Sequence, residues 1–147
     1  MDRAYIQQKI YYYQTAVDNC LLDKNKIEQQ IEELQNLSNK LGTLRSNFAS
    51  KQSSRKSKLA RLQYRRNMIK AVSSYYEGMS SLLSGSEYSS ASNGIATAKQ
   101  STDTKRKKLE SQLSTIRANM NSYQNSLEYW KYQLRIYKDP ESNVNGR

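Results

Sequence analysis

The chain has 147 residues, a mean hydropathy of −0.95, 36% apolar residues and 24 Lys or Arg against 13 Asp or Glu. With no histidine and one cysteine, the usual zinc centre and the Cys–His nucleophile pair are excluded, and Cys20 has no internal disulfide partner. No run approaches the roughly 18 apolar residues of a membrane span, and the +11 formal charge favours anionic partners.

Five glycines and one proline in 147 residues, with many Lys, Gln, Glu, Leu and Arg, favour long helices. So low a hydropathy allows only a narrow buried stripe, as in a helical hairpin or coiled coil. The opening "MDRAYIQQK" has no apolar core of a cleavable signal. The expectation is one cytoplasmic domain without membrane insertion, with export by a route that reads no N-terminal signal left open.

The first element is predicted as a helix over 4–45. Ile6, Ile10, Tyr13, Val17, Cys20, Lys24, Ile27, Ile31 and Leu34 step by four and three, the spacing of a packing seam. Cys20 falls on it as a small apolar residue. Leu37, Leu41, Leu44 and Phe48 continue after one short step, which reads as a stammer. The serine-rich basic stretch over 46–54 then reads as a connection. A second helix over 55–83 carries Leu59, Leu62, Ile69, Val72, Tyr76, Met79 and Leu83.

A turn is expected over 84–87. Ser84 stands three before Glu87, the spacing of a capping box, and Gly85 supplies backbone freedom. A third helix follows over 88–138. Its seam is read as Tyr88, Ala91, Ile95, Ala98, Thr102, Lys105 and Leu109, then Leu113, Ile116, Met120, Tyr123, Leu127, Trp130, Leu134 and Tyr137, with a stutter near Leu113. Small residues in its early part predict closer packing near the turn. Asp139-Pro140 should end this helix, leaving a disordered tail over 139–147. The fold class is therefore all-α: an elongated helical hairpin or coiled-coil bundle of two to three long helices, with a turn near Ser84-Gly85.

Between Glu33 and Glu77 there is no acidic residue, whereas ten Lys or Arg lie there, among them Arg55, Lys58, Arg61, Arg65 and Arg66. This is a solvated flank or a basic docking patch. Seven of the twelve tyrosines cluster as "YYY" at 11–13, "YY" at 75–76 and "YWKY" at 129–132. One ring of each group belongs to the seam. Tyr12, Tyr75, Tyr129, Trp130 and Tyr132 are candidate partner-binding residues, because Tyr and Trp anchor interfaces. No phosphate-binding glycine motif occurs. Ser53 and Lys56 match a Ser-x-x-Lys spacing without its companion motifs. No catalytic, cofactor or metal residue is assigned, and the chain reads as non-enzymatic.

The turn "LSGSEYSSA" and the closing helix "KRKKLESQLSTIRANMNSYQNSLEYWKYQL" resemble the small α-helical proteins encoded beside LXG toxins. These are YwqH-like relatives of the WXG-type proteins of type VII secretion in Gram-positive bacteria. Gly85 matches the glycine of the Trp-x-Gly turn, and Leu83 stands in place of its tryptophan. Tyr137 and Glu141 match the Tyr-x-x-x-Asp/Glu export signal of those systems in spacing and place. The resemblance implies a targeting partner or chaperone that binds the helical N-terminal domain of a toxin, with a second small helical protein as a further partner and co-secretion as an option. The alternatives are a basic coiled coil that binds nucleic acid and a purely structural, self-associating coiled coil.

Overall fold

The computed structural model describes residues 1–63 and 70–140. It is all-α. Helix α1 spans Arg3–Leu62, α2 spans Lys70–Ser84 and α3 spans Ser86–Ile136, and no strand occurs among the described residues. Two compact units form. Unit 1 comprises Met1–Ile31 and Lys107–Arg147, and unit 2 is Glu32–Arg106. Each pairs part of α1 with part of α3 in antiparallel fashion, and unit 2 adds α2.

In unit 1 the start of α1 is fixed by Asp2, whose Oδ1 accepts a hydrogen bond from the Tyr5 amide at 2.7 Å, an N-cap satisfying one free donor of the first turn. Ile6, Leu109, Leu113 and Leu127 are buried. Each such side chain contributes about 1.5–3 kcal/mol through loss of apolar surface to water. Two ion pairs join the helices: Arg117 to Glu28 at 3.0 Å and Arg3 to Asp139 at 3.3 Å. Both are exposed, so they fix register more than they stabilise. Asp139, expected to begin a disordered tail, is thus tied to the helix pair.

In unit 2 the first correction concerns residues 46–54, expected to form a connection. They are helical and continue α1. The stretch contains no Gly or Pro, and it packs. Phe48 stacks on Tyr88, with centroids 4.9 Å apart and planes at 14°. The Gln52 side-chain amide donates to the Leu83 carbonyl, one of the last carbonyls of α2, which have no acceptor role within the helix. Gln52 is polar yet buried, so the inward face of this stretch has no apolar periodicity after Phe48.

The second correction concerns the seam itself. Ser38 and Gln52 are buried, whereas Leu37 and Leu44 are 45% and 51% exposed. On α3, Ser92, Lys99 and Arg106 face inward, while Ala91, Ala98 and Lys105 are exposed. With these residues in place, the inward positions of α3 step by three and four without a stutter, and those of α1 keep one register without a stammer, with the exposed Arg45 and Arg55 at two of its positions. The small residues Ala91 and Ala98 do not narrow the pairing.

The third correction concerns the break at Gly85. It is where the sequence suggests it, but α3 restarts at Ser86, so no turn spans 84–87. Ser84 is the last residue of α2 rather than a cap of α3, and Glu87 lies in the first turn of α3. Leu59, Leu62, Tyr75, Met79 and Leu83 line a common cavity of about 240 Å³, so α2 already lies antiparallel to the end of α1. Gly85 therefore marks a bend between α2 and α3, both antiparallel to α1. The Gly85 amide donates back to the Leu82 carbonyl at 3.4 Å. A Cβ at Gly85 would lie 2.9 Å from the Ser81 carbonyl oxygen. Its φ is not positive, so closeness, not unusual backbone freedom, requires the glycine.

Two glycine substitutions should therefore differ in sign. Gly94, inside α3, has open space around an added Cβ, so Gly94→Ala should stabilise by about 0.5–1 kcal/mol through helix propensity. Gly85→Ala should destabilise by about 1–3 kcal/mol, because backbone must shift to admit the methyl. Urea unfolding midpoints followed by circular dichroism check both.

Candidate functional site

No helix among the described residues is long and apolar enough to cross a membrane. No group of three His, Cys, Asp or Glu that could hold a metal ion occurs among them. The candidate surface lies in unit 1, on the tyrosines of α1 and α3. Three consecutive residues on a helix point in directions about 100° apart, so "YYY" cannot all reach one seam. Tyr13 faces the partner helix, its ring 6.4 Å from that of Tyr123. Tyr12 meets Tyr13 edge-on at 5.0 Å and is 59% exposed, while Tyr11 is 75% exposed. Tyr11, Tyr12, Ala16, Cys20 and Tyr123 contribute to a groove of about 510 Å³. Cys20, expected on the seam, is half-buried there as a free thiol.

The second aromatic group of unit 1 centres on Trp130, which is half-buried. Its ring packs edge-on against Tyr5 at 5.7 Å and against Tyr129 at 5.2 Å. Lys9 Nζ lies 5.4 Å over the Tyr5 ring, and the Arg135 guanidinium lies 6.0 Å from the Tyr132 ring, both within the range of cation–π attraction. Tyr129 and Tyr132 stay exposed. Of the five candidate residues, Tyr12, Tyr129, Trp130 and Tyr132 thus belong to unit 1. Tyr75 is an exposed residue of α2 and belongs to unit 2. Sequence reasoning missed Tyr5 and Tyr11. Tyr5 stands one residue before the seam residue Ile6, as Tyr12 does before Tyr13, a spacing of seven that could have found it.

Unit 2 holds a polar layer that the apolar stripe gave no sign of. Ser38 Oγ donates to Asp103 Oδ1 at 2.6 Å, and Lys99 Nζ reaches Asp103 Oδ2 at 3.2 Å. Thr102 Oγ1, beside it, donates to the Ala98 carbonyl at 2.8 Å. The Ser38 hydrogen bond, then the Lys99 ammonium, and also Arg106 hold the Asp103 carboxyl below the usual aspartate range, against a desolvation effect that raises it.

The basic residues Arg55, Lys58 and Arg61 are exposed on α1. Arg65 and Arg66 lie outside the described residues. Of the export-signal pair, Tyr137 is half-buried on the seam just past α3, and Glu141 lies outside the described residues. Leu83 is buried, and Ser84 and Glu87 are exposed.

The polar layer makes unit 2 sensitive to acid. The folded pKa of Asp103 is below its unfolded value, so its stabilising contribution is complete above the ordinary aspartate range. It is lost as the pH falls through the folded value. The unfolding midpoint of the native chain relative to Asp103→Asn should be flat above about pH 5 and decline below it. Ser38→Ala, removing the largest cause, should raise the Asp103 pKa, read by NMR titration of its carboxyl carbon.

No protein-family model, curated protein or solved structure matches the chain.

Proposed function

We propose that this chain is a non-enzymatic helical partner that binds the helical N-terminal domain of an LXG-type toxin and targets it for type VII secretion. The observation that carries the binding part is the set of rings on unit 1 that its own packing leaves exposed. Tyr11, Tyr12, Tyr129 and Tyr132 are each more than half exposed. Tyr12 and Tyr129, each held edge-on by a neighbouring ring, lose little entropy on binding, and an amphipathic helix laid against the exposed rings buries their apolar faces. The toxin and the secretion route come from the resemblance of the turn and closing helix. Presentation of such a domain requires surface rather than a reaction centre.

A second reading has its own observation. Lys40, Arg45, Lys51, Arg55, Lys56, Lys58 and Arg61 are all exposed on α1, and this is the charge pattern of a nucleic-acid-binding flank. Salt separates the two readings, because phosphate contacts weaken steeply with salt and apolar contacts do not. Self-association, the third reading, predicts a mass above the monomer in light scattering of the chain alone.

Co-expressed with an LXG-type toxin domain encoded beside it, the chain should co-purify as a complex that persists at high salt. Tyr12→Ala combined with Tyr129→Ala should weaken that complex at least tenfold, as loss of aromatic anchors does, with helix content unchanged. A chain that stays monomeric beside the toxin domain, or a double variant that binds it equally well, overturns the proposal.

A further inference from the structure

Unit 2 has an exposed face whose pattern differs from that of its seam. On α1, the residue immediately before every second seam position is Leu37, Leu44, Lys51 or Lys58, a row at intervals of seven. On α3 the corresponding row is Ala91, Ala98 and Lys105. In an antiparallel pair, positions that precede the seam on each helix share one side, and positions that follow it share the other. The structure fixes which side is which. Gly42 and Asp103, each just after a seam residue, lie on the side where a Cβ at Gly42 would be 3.5 Å from Lys99 Cε and where Ser38 bonds Asp103. The two rows therefore share the opposite side.

That side combines three features. Leu37 and Leu44 are exposed at 45% and 51%. Ala91 and Ala98, exposed on the neighbouring helix, leave room for another backbone to approach. Lys40, Lys51, Lys58 and Lys105 are exposed around them, and the sequence has no carboxylate between Glu33 and Glu77 and only Glu87 between Glu77 and Asp103. Unit 2 carries thirteen Lys or Arg against five Asp or Glu.

We infer that this face docks a third helix, one that is amphipathic and acidic, supplied by another protein. The two leucines at an interval of seven match the apolar stripe of a helix packing alongside. The lysines around them require carboxylates opposite. A second copy of this chain fits poorly, since its unit 2 would set Lys against Lys. Nucleic acid would use the lysines and leave the leucines and alanines without a role. The inference concerns a different surface from the tyrosine face of unit 1 and stands whatever that face binds.

The test uses the full chain and a fluorescent synthetic peptide of four heptads, with leucine at its two seam positions and glutamate at the flanking ones. The peptide should bind, as read by fluorescence anisotropy. Leu37→Ser with Leu44→Ser, and separately Lys51→Glu with Lys58→Glu, should each weaken binding about tenfold, as loss of two apolar anchors or reversal of two charge pairs would. A peptide with lysine in place of glutamate should ignore the native chain and bind the charge-reversed one better. Zero-length carbodiimide coupling to the native chain keeps the test independent of the variants, and its cross-links should map to Lys51, Lys58 or Lys105. Absence of binding, equal binding to all variants, or cross-links elsewhere overturns the inference. So does a 20-base-pair duplex that binds through the same lysines while the acidic peptide does not.

Discussion

Everything in this protein depends on a seam one residue wide. With so few apolar residues, each helix can bury only the positions that recur at steps of three and four. A seam that narrow cannot be apolar throughout, and it is not. In unit 1 it is closed by Ile6, Leu109, Leu113 and Leu127. In unit 2 it includes Ser38, Gln52 and Thr102, all buried.

The polar members are compatible with burial because each has a partner. Gln52 takes up the Leu83 carbonyl, Thr102 the Ala98 carbonyl, and Ser38 the Asp103 carboxylate. A buried polar group without a partner costs free energy, so the Ser38 and Gln52 bonds, which reach another helix, penalise a slipped register, whereas the Thr102 bond lies within α3 and holds in any register. That is the way polar seam residues specify pairing in helical assemblies. Unit 2 thus adds polar matches to the packing of Phe48, Leu59 and Leu83, whereas the buried residues of unit 1 are aliphatic. The exposed surfaces differ in emphasis: most of the exposed rings lie on unit 1, and Leu37 and Leu44 lie among lysines on unit 2.

The division of labour along the chain also follows from charge. Unit 2 holds a net excess of eight positive charges and unit 1 of three. A net positive charge opposes the approach of like-charged surfaces and favours that of opposite charge.

The sequence alone determined the all-α class, the extent of the seam from Ile6 to Leu34 and from Leu109 to Tyr137, and the break at Gly85, because these rest on local signals: apolar periodicity and a glycine between helical stretches. It also singled out Tyr12, Tyr129 and Tyr132, since consecutive aromatics on a helix cannot all be buried. Only the tertiary structure decided that Leu37 and Leu44 face out while Ser38 and Gln52 face in, that residues 46–54 are helical, and that α2 already runs antiparallel to α1. The physical reason is common to all three. Whether a serine or glutamine can occupy a seam depends on a hydrogen-bond partner on another helix. Asp103 lies 65 residues from Ser38 and Leu83 lies 31 from Gln52, beyond the reach of any local pattern.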